Sequence, residues 1–447
     1  MTDPANISKI LVIQVNGNLP AENPSPDNQL RNARLALALL LGINLFNYVD
    51  RSILYSVQES IRLDFGVSSS AMGWLVLAFL VTYMLLSPVF GLLADRFSRW
   101  MLIGIGVTLW SFASGASGLA NSYAALLATR CLIGVGEAAY GPVAPTIISD
   151  LYPVSVRGKV LAWFYAAIPI GSAIGYVLGS PFAHAGKWHR AFFLTLPPGL
   201  LLGIWCFFKK DPRRGAADNL SEAPPRKITF DDYKLLAKIP SYILNTAAMT
   251  AMTFAIGGVA DWMPTYLTVD RHMTPERAGL FFGGIVASAG LVATLAGGIA
   301  GDRLRGKIPG SYFLVSALGM LAGFPLFLLL LITPFPLAWL VLFAAVFCLF
   351  FNTGPSNTAL ANTTPPEIRA SAFAINILII HTLGDAISPG IIGKIRDHYS
   401  LNIGFVAVSG MMLLGGLFWL WGMKYLAEDT RTAPTLLQKK DSLNDTV

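Results

Sequence analysis

The chain has 447 residues, of which 54% are hydrophobic and only 13% charged, and its formal net charge is +7. A soluble domain carries about 25% charged residues, so the composition excludes an ordinary soluble protein. Most of the Lys and Arg fall in segments that lie on one side once the apolar runs are threaded through a bilayer, as the positive-inside rule requires, so the basic balance calls for no nucleic acid.

Residues 1–30 read as a cytoplasmic tail without a cleavable signal, because ILVIQV is too short and no small-residue cleavage site follows it. Twelve apolar runs then have the length that a hydrocarbon core of about 30 Å demands of a helix. Spans 1 to 6 are predicted at 33–55, 70–93, from after the basic loop DRFSRW to 120, 122–149, 159–183 and 190–208, within a first half of 31–208. Residues 209–240 are rich in Lys, Arg, Pro and Asp and read as a cytoplasmic linker with a short amphipathic helix at 229–238. Spans 7 to 12 are predicted at 242–267, 277–300, 311–333, 336–362, 368–395 and 402–424, within a second half of 241–426, and 427–447 form a cytoplasmic tail. The three cysteines, Cys131, Cys206 and Cys348, all lie in apolar runs, with no spacing of a disulfide framework or a metal site.

The halves repeat. GLLADR at 91–96 recurs as GIAGDR at 298–303, and Gly141-Pro142 with Pro153 and Arg157 recurs as Gly354-Pro355 with Pro365 and Arg369. The expected fold is therefore an all-α membrane protein with two six-helix halves related by a pseudo-two-fold axis, and a central cavity between them.

Within that frame the charged residues inside spans stand out, because a charge at membrane depth must face a partner or a wet cavity. Arg130 and Glu137 lie seven residues apart, two turns on one face of span 4. Asp50 and Arg51 lie in the outer part of span 1. Counting rise along each helix puts Asp50 roughly 25 Å and Arg130 roughly 18–20 Å from the cytoplasmic side. Depth thus predicts an Asp50–Arg130 pair, and it leaves Glu137 nearer the midplane as the first candidate proton carrier, with Asp50 second. Arg51 and Arg130 are candidates to poise these carboxylates or to bind an anionic headgroup. His381 and Asp385 are one turn apart on span 11 and suit either a proton relay or a polar clasp, and Pro389 permits a kink. Phe46, Tyr48, Tyr140, Tyr165, Asn352 and Asn357 are candidate cavity residues, and Gly171, Gly175 and Gly179 form a helix-packing stripe. No nucleophile–base pair, metal cage or phosphate-binding loop is recognisable, so neither an enzyme, a bound cofactor nor ATP coupling is expected.

The two GLLADR-like loops and Arg130 to Ala138 resemble signatures of the major facilitator superfamily. By that resemblance Gly91, Asp95, Arg96, Asp302 and Arg303 form an ion-pair latch between the halves on the cytoplasmic side. NYVDR (47–51), VGEAAYGPVAPTIISDLY (135–152), FYAAIPIGSAIGY (164–176), WHRAFF (188–193) and HTLGDAISP (381–389) together resemble the Spinster family. The resemblance implies a proton-linked or facilitative transporter of lysolipids and sphingoid phosphates, as in animal members, with sugar-like cargo also proposed. It carries Asp50, Arg51, Arg130, Glu137, His381 and Asp385 over as cavity residues. The short tails, with no retention or lipidation signal, look like those of a bacterial member, here a monomer in the cell (inner) membrane with both termini cytoplasmic. Its expected partners are protons, membrane lipids and a small-molecule or lipid substrate. An uncoupled facilitator or scramblase, and a proton-coupled carrier of sugars, drugs or organic anions, remain open alternatives.

Overall fold

The computed structural model describes residues 26–182, 187–218, 228–438 and 440. The predicted tail before 26, the middle of the linker and the last residues lie outside them. Two compact units are distinguished, Met1–Ala38 and Leu39–Val447. Of the first, residues 26–38 are helical; all that follows concerns the second.

Among the described residues every regular element is a helix, and ten helical stretches are long and apolar enough to cross a membrane. The other two of the twelve spans are shorter because they are broken. Span 4 consists of Tyr123–Ala138 and Ala144–Leu151, interrupted around Gly141-Pro142, and span 6 of His189–Phe192 and Leu196–Cys206. Span 10 breaks at the matching place, between Leu337–Phe350 and Thr353–Asn362, just before Gly354-Pro355. Proline lacks the amide that would continue the helical ladder, so the repeated Gly-Pro pair produces a repeated break. Serine side chains cap several entries: Ser98 accepts from the Met101 amide at 3.3 Å and Ser122 from the Ala125 amide at 3.3 Å.

Span 11 departs from its predicted geometry. Arg369–Ile380 widens into a π-turn at His381–Asp385 and resumes as Ser388–His398. The break falls at Gly384 (φ −107°, ψ −105°) rather than at Pro389, which sits in the first turn of the new helix. A first-turn proline needs no amide bond, so the distortion is absorbed one turn earlier by the glycine. The last helix runs to Thr432, beyond the predicted 424. The linker helix is a single α-turn, Phe230–Tyr233, continuing as the 3-10 segment Lys234–Lys238.

The halves meet along two equivalent seams, span 2 against span 11 and span 5 against span 8. Glycines permit the close approach. A Cβ on Gly91 would lie 2.6 Å from the Ala374 Cβ, and one on Gly298 would lie 2.8 Å from the Gly158 carbonyl oxygen. These two glycines open the two repeated loop motifs. The Gly171, Gly175 and Gly179 stripe packs span 5 on span 1: a Cβ at Gly171 would lie 2.6 Å from the Leu45 carbonyl oxygen, and one at Gly175 2.5 Å from that of Val49.

Candidate functional site

Asp50 and Arg51 are consecutive on span 1, so about 100° of helical rotation separates their side chains. They therefore reach different neighbours. Arg51 turns to span 4, where its Nε donates to Glu137 Oε2 at 2.9 Å and its Nη2 donates to the same oxygen. Its guanidinium also lies over three rings: Phe79 at 4.6 Å, Tyr48 at 5.0 Å and Tyr83 at 5.6 Å. Glu137 is 1% exposed in its side chain whereas Arg51 keeps 26%, so Arg51 presents the accessible face of the pair. Glu137 Oε1 has no hydrogen-bond partner.

Asp50 turns inward instead. Its Oδ1 accepts from the hydroxyls of Ser114 on span 3 and Thr195 at the start of span 6, the latter at 2.9 Å, and its Oδ2 has no partner. Arg130 is buried, donates to the Ser117 hydroxyl at 2.6 Å and lies 5.2 Å over the Phe192 ring. The Asp50–Arg130 ion pair expected from matched depth is thus not formed. The two charges act on each other without direct contact, each bound instead to a serine of span 3, and Arg51 takes the carboxylate that Arg130 shares a helix with.

Across the interface, His381 Nδ1 is 3.0 Å from both oxygens of Asp385, and its ring meets the Tyr83 ring edge-on at 5.8 Å. Tyr83 therefore touches both Arg51 of the first half and His381 of the second. Sequence reasoning passed over Tyr83 and Phe79; their i, i+4 aromatic spacing on span 2 was the available signal. The Tyr165 hydroxyl donates to Asn357 Oδ1 at 2.9 Å, a cross-half hydrogen bond between spans 5 and 10. Phe46 is half-buried. Tyr140 and Asn352, expected at the cavity, are buried within their own halves. Tyr140 donates to the Leu40 carbonyl at 2.8 Å and meets the Trp110 ring edge-on, and Asn352 donates to the Leu349 carbonyl at 2.8 Å. Among the described residues no group of His, Cys, Asp or Glu is arranged to hold a metal ion.

The repeated loops close one end of the molecule, but not by the expected ion pairs of Arg96 and Arg303, both of which are exposed. The carboxylates bind helix backbone. Asp95 accepts from the amides of Ala370 and Ser371, each at 3.1 Å. The helix starting at Arg369 has Ile368 at its N-cap, which has no side-chain acceptor, so an aspartate of the other half serves the orphan amides there. Asp302 reciprocates, accepting from the Lys159 amide at 2.6 Å and the Tyr312 hydroxyl at 2.7 Å. Beside these, Arg99 pairs with Asp150, Arg369 with Asp150 at 3.0 Å, and both Arg157 and Arg369 with the linker residue Asp218 at 2.7 Å. Neither Asp150 nor Asp218 stands out in the sequence as a site residue.

Two broken, repeat-related helices, a charge cluster between the halves and cross-half contacts closing one end define a multi-pass membrane transporter. A family model for the Major Facilitator Superfamily matches residues 40–389. The chain is 32% identical to Protein spinster homolog 3 of Danio rerio over 461 residues, covering 94% of this chain and 92% of that protein. It is 34% identical to Protein spinster homolog 1 of Homo sapiens over 389 residues, covering 82% and 74%. The chain belongs to the Spinster family of the Major Facilitator Superfamily. The fold is shared with a crystal structure of a bacterial homologue of the human lysosomal transporter Spinster, inward-facing and unoccupied (TM-score 0.59, 19% identity, 92% of this chain and 98% of that one). It is also shared with the transporter FucP in its outward conformation (TM-score 0.70, 15% identity, 88% and 99%).

Proposed function

We propose that the protein is a proton-coupled secondary transporter of an amphipathic, anionic small molecule of the lysolipid or sphingoid-phosphate kind, working by alternating access. The observation that carries this reading is the part-exposed Arg51 guanidinium, held by Glu137 and walled by Tyr48, Phe79 and Tyr83. A fixed cation in an aromatic wall suits a ligand with an anionic head and an apolar body. Arg130, buried on Ser117 and Phe192, holds spans 3, 4 and 6 together rather than meeting the ligand. Asp50 and Glu137 are the proton-coupling residues. Each keeps one buried carboxyl oxygen without a hydrogen bond, and Asp50 is hydrogen-bonded by the Ser114 and Thr195 hydroxyls, with the Arg130 cation acting on it at longer range. His381 and Asp385 extend the polar path to the second half through Tyr83.

The protein is a monomer in the cell inner membrane with the tails, the linker and the Asp95 and Asp302 contacts on the cytoplasmic side. The latch comprises Asp95 and Asp302, with Gly91 allowing the close approach while Arg96 and Arg303 stay exposed, and its closure corresponds to an outward-facing arrangement. An uncoupled facilitator or scramblase is the second reading; it draws on Glu137 being already neutralised by Arg51. Reconstituted protein separates them. Accumulation of a labelled lysophospholipid driven by an imposed pH gradient is lost in Glu137→Gln and Asp50→Asn while gradient-free exchange persists. Unchanged accumulation in both variants removes the coupling, and no uptake of any lysophospholipid removes the cargo.

A further inference from the structure

Arg157 and Arg369 open spans 5 and 11 at repeat-equivalent positions, and both side chains are buried, at 0% and 2% exposure. Asp218, which ends the one-turn segment Ala216–Asp218 of the linker, lies between them with its side chain 3% exposed. One of its oxygens takes Arg157 Nη2 and the other Arg369 Nη2, each at 2.7 Å. A single carboxylate thus joins the two halves while belonging to neither.

The linker before it is anchored to the first half by a run of hydrogen bonds. Asp211 accepts from the Arg99 and Trp100 amides at 2.8 and 3.0 Å, capping span 3. The Pro212 carbonyl accepts from Arg99 at 2.7 Å, Arg214 donates to the Ala94 carbonyl at 2.8 Å, and the Gly215 amide donates to Asp150 at 2.9 Å. Asp150 also belongs to the first half. When the halves part at this end, Arg369 is therefore the group that leaves, losing Asp218 and Asp150 together.

The charge count shows why Asp218 is needed. Arg99, Arg157 and Arg369 form direct ion pairs with two carboxylates, Asp150 and Asp218, and Glu367 acts on Arg369 at longer range. Without Asp218 the direct ion-pair partners of three buried guanidiniums fall to one carboxylate, Asp150, and like charges taken out of water short of counter-charge are strongly disfavoured. Separating the halves relieves that repulsion, so the penalty falls on the closed state and not on the open one.

We propose that Asp218 is a gating residue: the linker supplies the counter-ion that the two repeat-related arginines need before this end of the transporter can close. The linker is then a third working part of the gate beside the two halves. The proposal rests on the alternating-access part of the function above and on neither the cargo nor the proton coupling.

The test is a distance measurement that needs no substrate. Met101 in the first half and Lys307 in the second are both exposed. Spin labels at these two positions, in protein with Cys131, Cys206 and Cys348 replaced by serine, report the opening of this end by pulsed electron resonance. Asp218→Asn is expected to shift the closed-to-open ratio towards open by roughly tenfold or more, as for loss of one member of a buried ion-pair network. Asp218→Asn with Arg369→Gln, which removes one of the repelling cations, is expected to recover part of the closed population. Asp218→Glu keeps the charge and is the variant to use if the asparagine form does not fold; its longer side chain is expected to give a smaller shift in the same direction. A distance distribution in Asp218→Asn, or failing that in Asp218→Glu, identical to that of the parent overturns the proposal. A protein that shifts as expected yet transports without a pH gradient leaves the gate standing and removes only the coupling.

Discussion

Arg51 donates to one oxygen of Glu137 from two of its nitrogens and leaves the other oxygen without a partner. Removing Arg51 strands a carboxylate that is 1% exposed. Breaking a buried pair typically costs about 3–5 kcal/mol, and Arg51→Ala is expected at the low end, because the arginine itself is part-exposed. Its melting midpoint in detergent falls, and adding Glu137→Gln recovers much of the loss, since no charge then remains to be paired. Equal midpoints for the single and double variants would show that the pair is not coupled.

Arg51→Lys keeps the charge but not the planar fork that binds Glu137 while lying over three rings. Protein of near-native melting behaviour but weakened anionic-ligand binding is expected, read as a smaller thermal shift on adding lysophosphatidic acid. An undiminished shift removes Arg51 from the binding role.

Gly91→Val and Gly298→Val insert side chains where a Cβ alone would lie 2.6 Å from Ala374 and 2.8 Å from the Gly158 carbonyl oxygen, respectively. Each is expected to hold the halves apart at the Asp95 and Asp302 end and to cut uptake at least roughly tenfold in protein that still purifies as a monodisperse species, since packed interfaces give way only by shifting. Gly283→Ala is the control. A Cβ there has nothing within 4 Å, and alanine stabilises a helix interior by about 0.5–1 kcal/mol over glycine, so uptake stays at the parent level.

Asp95→Ala removes the acceptor that serves the Ala370 and Ser371 amides from the opposite half. Losing an N-cap costs typically about 1 kcal/mol, a roughly fivefold loss of closed over open at this end. The Met101–Lys307 label distance reads it. Asp302→Ala is expected to act in the same sense, because the contact is reciprocated along the other seam.

Burial pushes the Asp218 carboxyl up, but the Arg369 and Arg157 guanidiniums outweigh it and hold the group below its ordinary value of 3.8. A carboxylate depressed in the folded state contributes stability above its unfolded value, and that contribution is lost as the pH falls through the folded value. The midpoint difference between the wild type and Asp218→Asn is therefore expected to stay level from neutral pH down to about pH 5 and to shrink only below about pH 4. A difference that fades between pH 7 and 6 contradicts the assignment.

The pair of repeated loops, the repeated Gly-Pro breaks and the equivalence of Arg157 with Arg369 are all legible in the sequence, because they depend on order along the chain. The partner of Arg157 and Arg369 is not. Asp218 sits in a polar linker with no periodicity to place it, and its role exists only because the folded halves bring two arginines to one point. The burial of Tyr140 and Asn352 was equally hidden, since a polar side chain packed inside a half reads like one that faces a cavity.

Hydropathy and the internal repeat, by themselves, determined a twelve-span membrane fold, its two halves and the few charges that must matter, because burying charge in hydrocarbon is too costly to happen without reason. Only the tertiary structure decided which charge meets which. Rise along a helix is readable from residue number, whereas the direction a side chain takes towards its neighbours depends on how the helices are rotated and packed. Asp50 and Arg51, adjacent in sequence and similar in depth, accordingly end up serving two different networks.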